Sequence, residues 1–145
     1  MKEIVRLMIN KYNLREYGLD FMGYRITRSR NLTYHHLINK QKNNGKSTIE
    51  NGAILLKNSH FYLNVIEKEN YNIFKKITKE MIIENQKGEI DLINLYNIDQ
   101  LLLEFEEKYY DKYKFMVPDI YRNRFLREID KDVLDNIDKY ELKKS

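Results

Sequence analysis

Apolar residues recur along this chain in two rhythms, one of which belongs to helices and the other to strands. From Lys2 to Tyr12, Ile4, Val5, Met8 and Ile9 fall near helical spacing and predict a helix with one face in the core. Gly18 and Gly23 interrupt that pattern. The run Leu32-Thr33-Tyr34-His35-His36-Leu37-Ile38 is rich in β-branched and aromatic residues and reads as a strand. Asn39 to Ser47, which contains Asn43-Asn44-Gly45, reads as a loop. Ala53-Ile54-Leu55-Leu56 reads as a second strand, entered through Asn51-Gly52, a pair that tolerates the positive φ of a hairpin turn.

Beyond Leu56 the rhythm is helical. Ser59 is placed to cap a helix that continues through His60 to Glu67, its hydroxyl accepting from the first-turn amides. Asn70 caps a longer helix in which Tyr71, Phe74, Ile77, Met81 and Ile82 share a face, and Gly88 ends it. A further helix is expected from Ile98 to Tyr110, with Leu101, Leu102, Phe105 and Tyr109 facing inward. After Pro118, Ile120 to Arg127 and Val133 to Tyr140 give one or two more. The fold class is therefore α+β and mostly helical, with a small two-stranded element. The division expected is residues 1–97 as a domain with an N-terminal helix and 98–145 as a helical extension packed on it.

A chain of 145 residues can bury one core, and 42% hydrophobic residues suffice to build it. No apolar run is long enough to cross a bilayer, so no membrane partner is expected. Glu3 and Arg6 sit where a signal core would be apolar, which predicts a cytoplasmic protein. The absence of cysteine excludes disulfides, thiol nucleophiles and cysteine-ligated zinc, and leaves His, Asp, Glu and Asn as metal ligands.

The net charge of +4 is unevenly spread. Residues 1–46 carry ten Lys/Arg against three Asp/Glu; residues 47–118 carry nine against twelve; residues 119–145 carry seven of each. Between Asp20 and Glu50 there is no acid, while Arg25, Arg28, Arg30, Lys40, Lys42 and Lys46 all fall there. Such a stretch suits a phosphate backbone, because each neutralised phosphate releases condensed counterions. Tyr24 and Tyr34 lie close enough in sequence for a ring to stack on an exposed base.

The order strand, loop, strand, helix carries a histidine pair on its first strand, an asparagine before its second and a histidine at the start of its helix. The segments Tyr34-His35-His36-Leu37-Ile38, Ile49-Glu50-Asn51-Gly52-Ala53-Ile54-Leu55-Leu56 and Ser59-His60-Phe61-Tyr62-Leu63-Asn64 resemble the ββα-metal motif of HNH endonucleases, in particular small phage-type members. The likeness covers positions 34 to 64. It implies a ββα-metal core with flanking and C-terminal helices, and a phosphodiesterase that hydrolyses DNA with one divalent cation, magnesium, manganese, nickel or zinc. His35, His60 and Asn64 match the ligand positions, His36 the general base and Asn51 the residue that orients the base or its loop. Residues four apart on a helix lie one turn apart on one face, so His60 and Asn64 can grip one cation. Asn64 stands where close relatives carry His, and an amide oxygen is the weaker donor.

Adjacent residues of a regular strand point to opposite faces, so His35 and His36 can serve one site only if the strand ends or twists between them. The alternative to an enzyme is an inactive HNH-like module that binds nucleic acid or protein, such as a phage or mobile-element inhibitor of a host defence system. In either case the C-terminal helices suit a protein partner or a second copy of the chain.

Overall fold

The computed structural model describes residues 2–14, 18–26, 31–38 and 47–113. Helix α1 (Glu3–Tyr12) leads to strand β1 (Leu32–His36), a single 3-10 turn (Ile49–Asn51), strand β2 (Gly52–Leu56) and helices α2 (Lys57–Glu69), α3 (Tyr71–Lys87) and α4 (Leu92–Tyr113). The described part is thus mostly helical around one two-stranded antiparallel sheet. The expected helices after Pro118 lie outside the described residues.

The sheet is the hinge of the packing. Its register pairs Leu32 with Leu56, His35 with Ala53 and His36 with Gly52. Every residue of β2 is buried, as a short continuous apolar run requires, whereas β1 buries only Leu32 fully. Val5 and Met8 of α1 join this core, as do Tyr62, Leu63 and Ile66 of α2. Ile73, Ile77 and Met81 come from α3, and Ile98, Leu102 and Phe105 from α4. Helix α3 packs between α2 and α4.

The helix ends show where local signals succeed. Asn70 Oδ1 accepts from the Ile73 amide at 3.2 Å, and Gly88 takes the left-handed conformation (φ 74°) that closes α3. The start of α4 differs from the expected Ile98. Asp91 Oδ1 accepts from the Ile93 amide at 2.7 Å and starts the helix at Leu92, so α4 runs unbroken across residues 97 and 98.

Ser59 is not a cap. Helix α2 begins two residues earlier, and Leu56 at its N-cap supplies no side-chain oxygen. The oxygen comes from Asp20, which is fully buried 36 residues away. Its Oδ1 accepts from the amides of Met22 (2.9 Å) and Tyr24 (3.0 Å), and its Oδ2 from the Leu56 amide (3.1 Å). Ser59, inside the first turn, adds a side-chain hydrogen bond to the same carboxyl. Residues 18–26, which the glycines mark as a break, therefore form a tight turn stitched to the sheet and to the start of α2. The Phe21 amide donates to the Ile54 carbonyl at 3.1 Å, and Phe21, Met22, Tyr24 and Ile26 are all core.

Candidate metal and cleft site

Alternation along β1 divides its polar residues between two faces. Thr33 and His35 turn toward α2, where both meet His60. Thr33 Oγ1 donates to the Leu55 carbonyl at 2.8 Å and lies 2.9 Å from His60 Nδ1. A threonine hydroxyl has one hydrogen, and the Leu55 carbonyl can only accept it. His60 must therefore donate from Nδ1, which leaves the lone pair on Nε2. That nitrogen lies 3.3 Å from Nδ1 of His35, with the rings edge to face at 5.1 Å.

This separation is close to what a shared cation needs. Two nitrogens each about 2.05 Å from a tetrahedral ion stand about 3.3 Å apart. Burial, reinforced by His60 and then His36, pushes the His35 imidazole down to about 3. Burial and then His36 also lower His60. Burial thus favours the neutral form of both rings, and in the metal-free protein the His35 Nδ1–H donates to the His60 Nε2 lone pair, so a cation between them would require the His35 proton to move to Nε2. The other nitrogen of His35, Nε2, is buried without a hydrogen-bond partner.

Asn64 follows one turn after His60 on α2 and is exposed. Among the described residues no three His, Asp or Glu side chains converge to hold a metal. The donor set that the chain offers is two imidazoles with the Asn64 amide as third candidate. Its softness suits manganese, nickel or zinc, and positions left to water and phosphate admit magnesium.

Regular pairing continues through His36, so His35 and His36 keep opposite faces of β1 and meet only at the rim of one cleft, where the strand ends. Pairing stops at His36, and Asn51 takes hold of the chain beyond it: its carbonyl accepts from the Leu37 amide at 2.9 Å and its Oδ1 from the Ile38 amide at 3.0 Å. Asn51 thus orients the segment that follows the histidine pair. The His36 ring stands edge-on to Tyr34 at 4.8 Å, and its Nε2 lies 3.2 Å from Ser47 Oγ. Tyr34 in turn donates its phenol to the Thr48 carbonyl at 2.7 Å. Both histidines border one cleft of about 310 Å³, whose opposite wall is α3.

Gly52 is needed for space and not for a turn. Its φ of -123° is ordinary extended backbone, but a Cβ there would overlap the Tyr34 ring and come within 3.0 Å of Met8 Sδ. The residue before it, Asn51, closes the 3-10 turn, so the pair is not a two-residue hairpin.

The basic stretch fares differently from the histidines. Arg28, Arg30, Lys40, Lys42 and Lys46 lie outside the described residues. Arg25 is half-exposed in an isolated bridge with Leu19. Tyr24 is buried and offers no ring face to a base; Tyr34 is half-buried, with its phenol on the Thr48 carbonyl and its ring against His36. The exposed ring beside the cleft is Tyr71, and the cleft's cations are Lys75 and Lys79. Neither these lysines nor Thr33 carries a motif that marks it in the sequence. A Thr two residues before a histidine on one strand face is the signal that could have found the latter.

No helix among the described residues is long and apolar enough to cross a membrane. No family model matches the chain, and neither a curated protein nor a solved structure matches it.

Proposed function

We propose that this chain is a metal-dependent endonuclease of the HNH type that hydrolyses phosphodiester bonds in DNA. The observation that carries the reading is the His35–His60 pair, its facing nitrogens 3.3 Å apart and one tautomer fixed by Thr33. His60 braced in this way has the arrangement of a metal ligand, because a hydrogen bond to the far nitrogen orients the ring and raises its basicity; the far nitrogen of His35 has no such partner.

The cation would supply Lewis-acid stabilisation of the charge developing on the phosphate and on the leaving oxygen. His35 and His60 would hold it, with Asn64 as a weaker third donor. His36 takes the proton from a water as that water's oxygen bonds to phosphorus and the bond to the leaving oxygen breaks. Imidazole is the side chain whose chemistry suits this task. Ser47 and Tyr34 hold the His36 ring, and Asn51 holds the backbone on which it sits. The roles separate cleanly: two histidines serve the cation and one serves the water.

Plasmid relaxation with each divalent cation in turn tests the assignment. His36→Ala should reduce cleavage on the order of a hundredfold or more while DNA affinity persists. His60→Ala should lose activity that excess metal partly restores. If wild type and His36→Ala cut equally slowly with every cation, the enzyme reading falls and an inactive nucleic-acid-binding module takes its place.

A further inference from the structure

We propose that the α3 wall of the cleft is a subsite for single-stranded DNA, where Lys75 and Lys79 take phosphates and Tyr71 stacks an unpaired base. The proposal rests on the nuclease reading only for what happens beside the subsite, since the binding it describes needs no metal.

Three observations point to this ligand. Lys75 and Lys79 are exposed, four residues apart on one face of α3, and both line the cleft bordered by His35 and His36. They stand about 6 Å apart along the helix axis, so they can grip neighbouring phosphates of one strand. Tyr71, one turn before Lys75, is 59% exposed and packs against Phe74 with the rings nearly parallel at 5.8 Å. A large exposed ring costs solvation unless something covers it, and a base face covers a ring without regard to sequence. The Lys75 ammonium lies 5.6 Å over this ring, a weak cation–π contact at an exposed site. A phosphate that draws Lys75 away replaces that contact and opens the ring to the base.

The cleft wall also contains Thr78, whose Oγ1 is buried without a hydrogen-bond partner. Threonine in a helix divides between two χ1 rotamers, so this hydroxyl can turn into the cleft and donate to a phosphate oxygen. Duplex DNA satisfies the lysines but keeps its bases stacked inside, away from Tyr71. The ring is therefore what makes the subsite select unpaired strand. Glu67 of α2 is the acid on the lining and opposes the same phosphates.

Fluorescence anisotropy with the full chain in chelator tests the proposal without cleavage. The probes are a labelled oligothymidylate of roughly twenty nucleotides and a mixed-sequence duplex of the same length. Wild type should bind the single strand more tightly than the duplex. Tyr71→Leu should weaken single-strand binding roughly 5- to 150-fold and leave the duplex nearly unchanged, while Tyr71→Phe should behave as wild type. Lys75→Gln with Lys79→Gln should weaken both probes and make the salt slope for the single strand shallower by about 1.4. Glu67→Gln should tighten binding. All four side chains are exposed, and thermal melts will show the variants folded. Duplex bound as tightly as single strand, or single-strand affinity indifferent to Tyr71→Leu, overturns the proposal. Cleft-dependent binding by a protein that never cuts would remove the nuclease reading and leave the subsite standing. Cutting by variants whose binding is unchanged would do the reverse.

Discussion

Thr33→Val removes one oxygen from the second layer of the site and almost nothing else. Valine keeps the β-branched shape that suits a strand, so β1 and its register with β2 should persist. Two contacts disappear: the 2.8 Å bond to the Leu55 carbonyl and the 2.9 Å bond from His60 Nδ1. An ordinary hydrogen bond is worth about 1 kcal/mol net, and leaving a half-buried partner unsatisfied raises this, so the stability cost should be about 1–2 kcal/mol. The larger effect should fall on the proposed cation. Without an acceptor at Nδ1, His60 can place its proton on Nε2, the nitrogen that faces His35. Loss of such an outer-shell partner lowers metal affinity about 10- to 100-fold.

Calorimetric titration with zinc or nickel, alongside urea denaturation of the metal-free protein, separates the two effects. Thr33→Ser keeps the hydroxyl and should bind metal as wild type does. Wild-type metal affinity in Thr33→Val would refute the argument that Thr33 fixes the His60 tautomer.

Other perturbations read other parts of the structure. His35, held down to about 3, is protonated first in the unfolded chain, so its contribution to stability is complete above its ordinary value of 6.5 and drains away as pH falls toward 3. Urea midpoints should show wild type losing stability relative to His35→Gln by up to about 1.4 kcal/mol per pH unit in that window, and parallel pH profiles would contradict this. Asp20, pushed up to about 6 by burial against the pull of its hydrogen bonds, acts with the opposite sign and cancels in that difference. Asp20→Ala strips the acceptor from three backbone amides and should cost about 3 kcal/mol or more by denaturation. Gly52→Ala drives a methyl into the Tyr34 ring, so it should cost about 1–3 kcal/mol and shift the His36 ring resonances in NMR spectra.

Periodicity made the helices legible because α3 carries its whole signal locally: a capping Asn70, Ile73, Ile77 and Met81 on one face, and Gly88 at the end. The α4 start was obscured because Asp91 caps it from a segment with little apolar rhythm. At α2 the local signal pointed to the wrong residue. Ser59 has the side chain of a cap, yet the oxygen that serves the helix start belongs to Asp20, and no spacing rule connects residues that meet only through the fold. The pairing of His35 with His60 is implied by the likeness to the ββα-metal motif, and in the structure it arises because a strand face and the first turn of a helix packed on it meet. Tautomer control by Thr33 needs a hydrogen count at one oxygen, which exists only in three dimensions. Lys75 and Lys79 were hidden by averaging: their segment is net negative, but one face of α3 presents its lysines to the cleft.

The proposed metal centre lies at the point between His35 and His60. A crystal soaked in zinc and measured at the zinc edge should show an anomalous peak about 2.1 Å from both His35 Nδ1 and His60 Nε2. Saturating zinc that gives no peak there, or peaks only at other surface positions, would contradict the metal centre and with it the proposed chemistry.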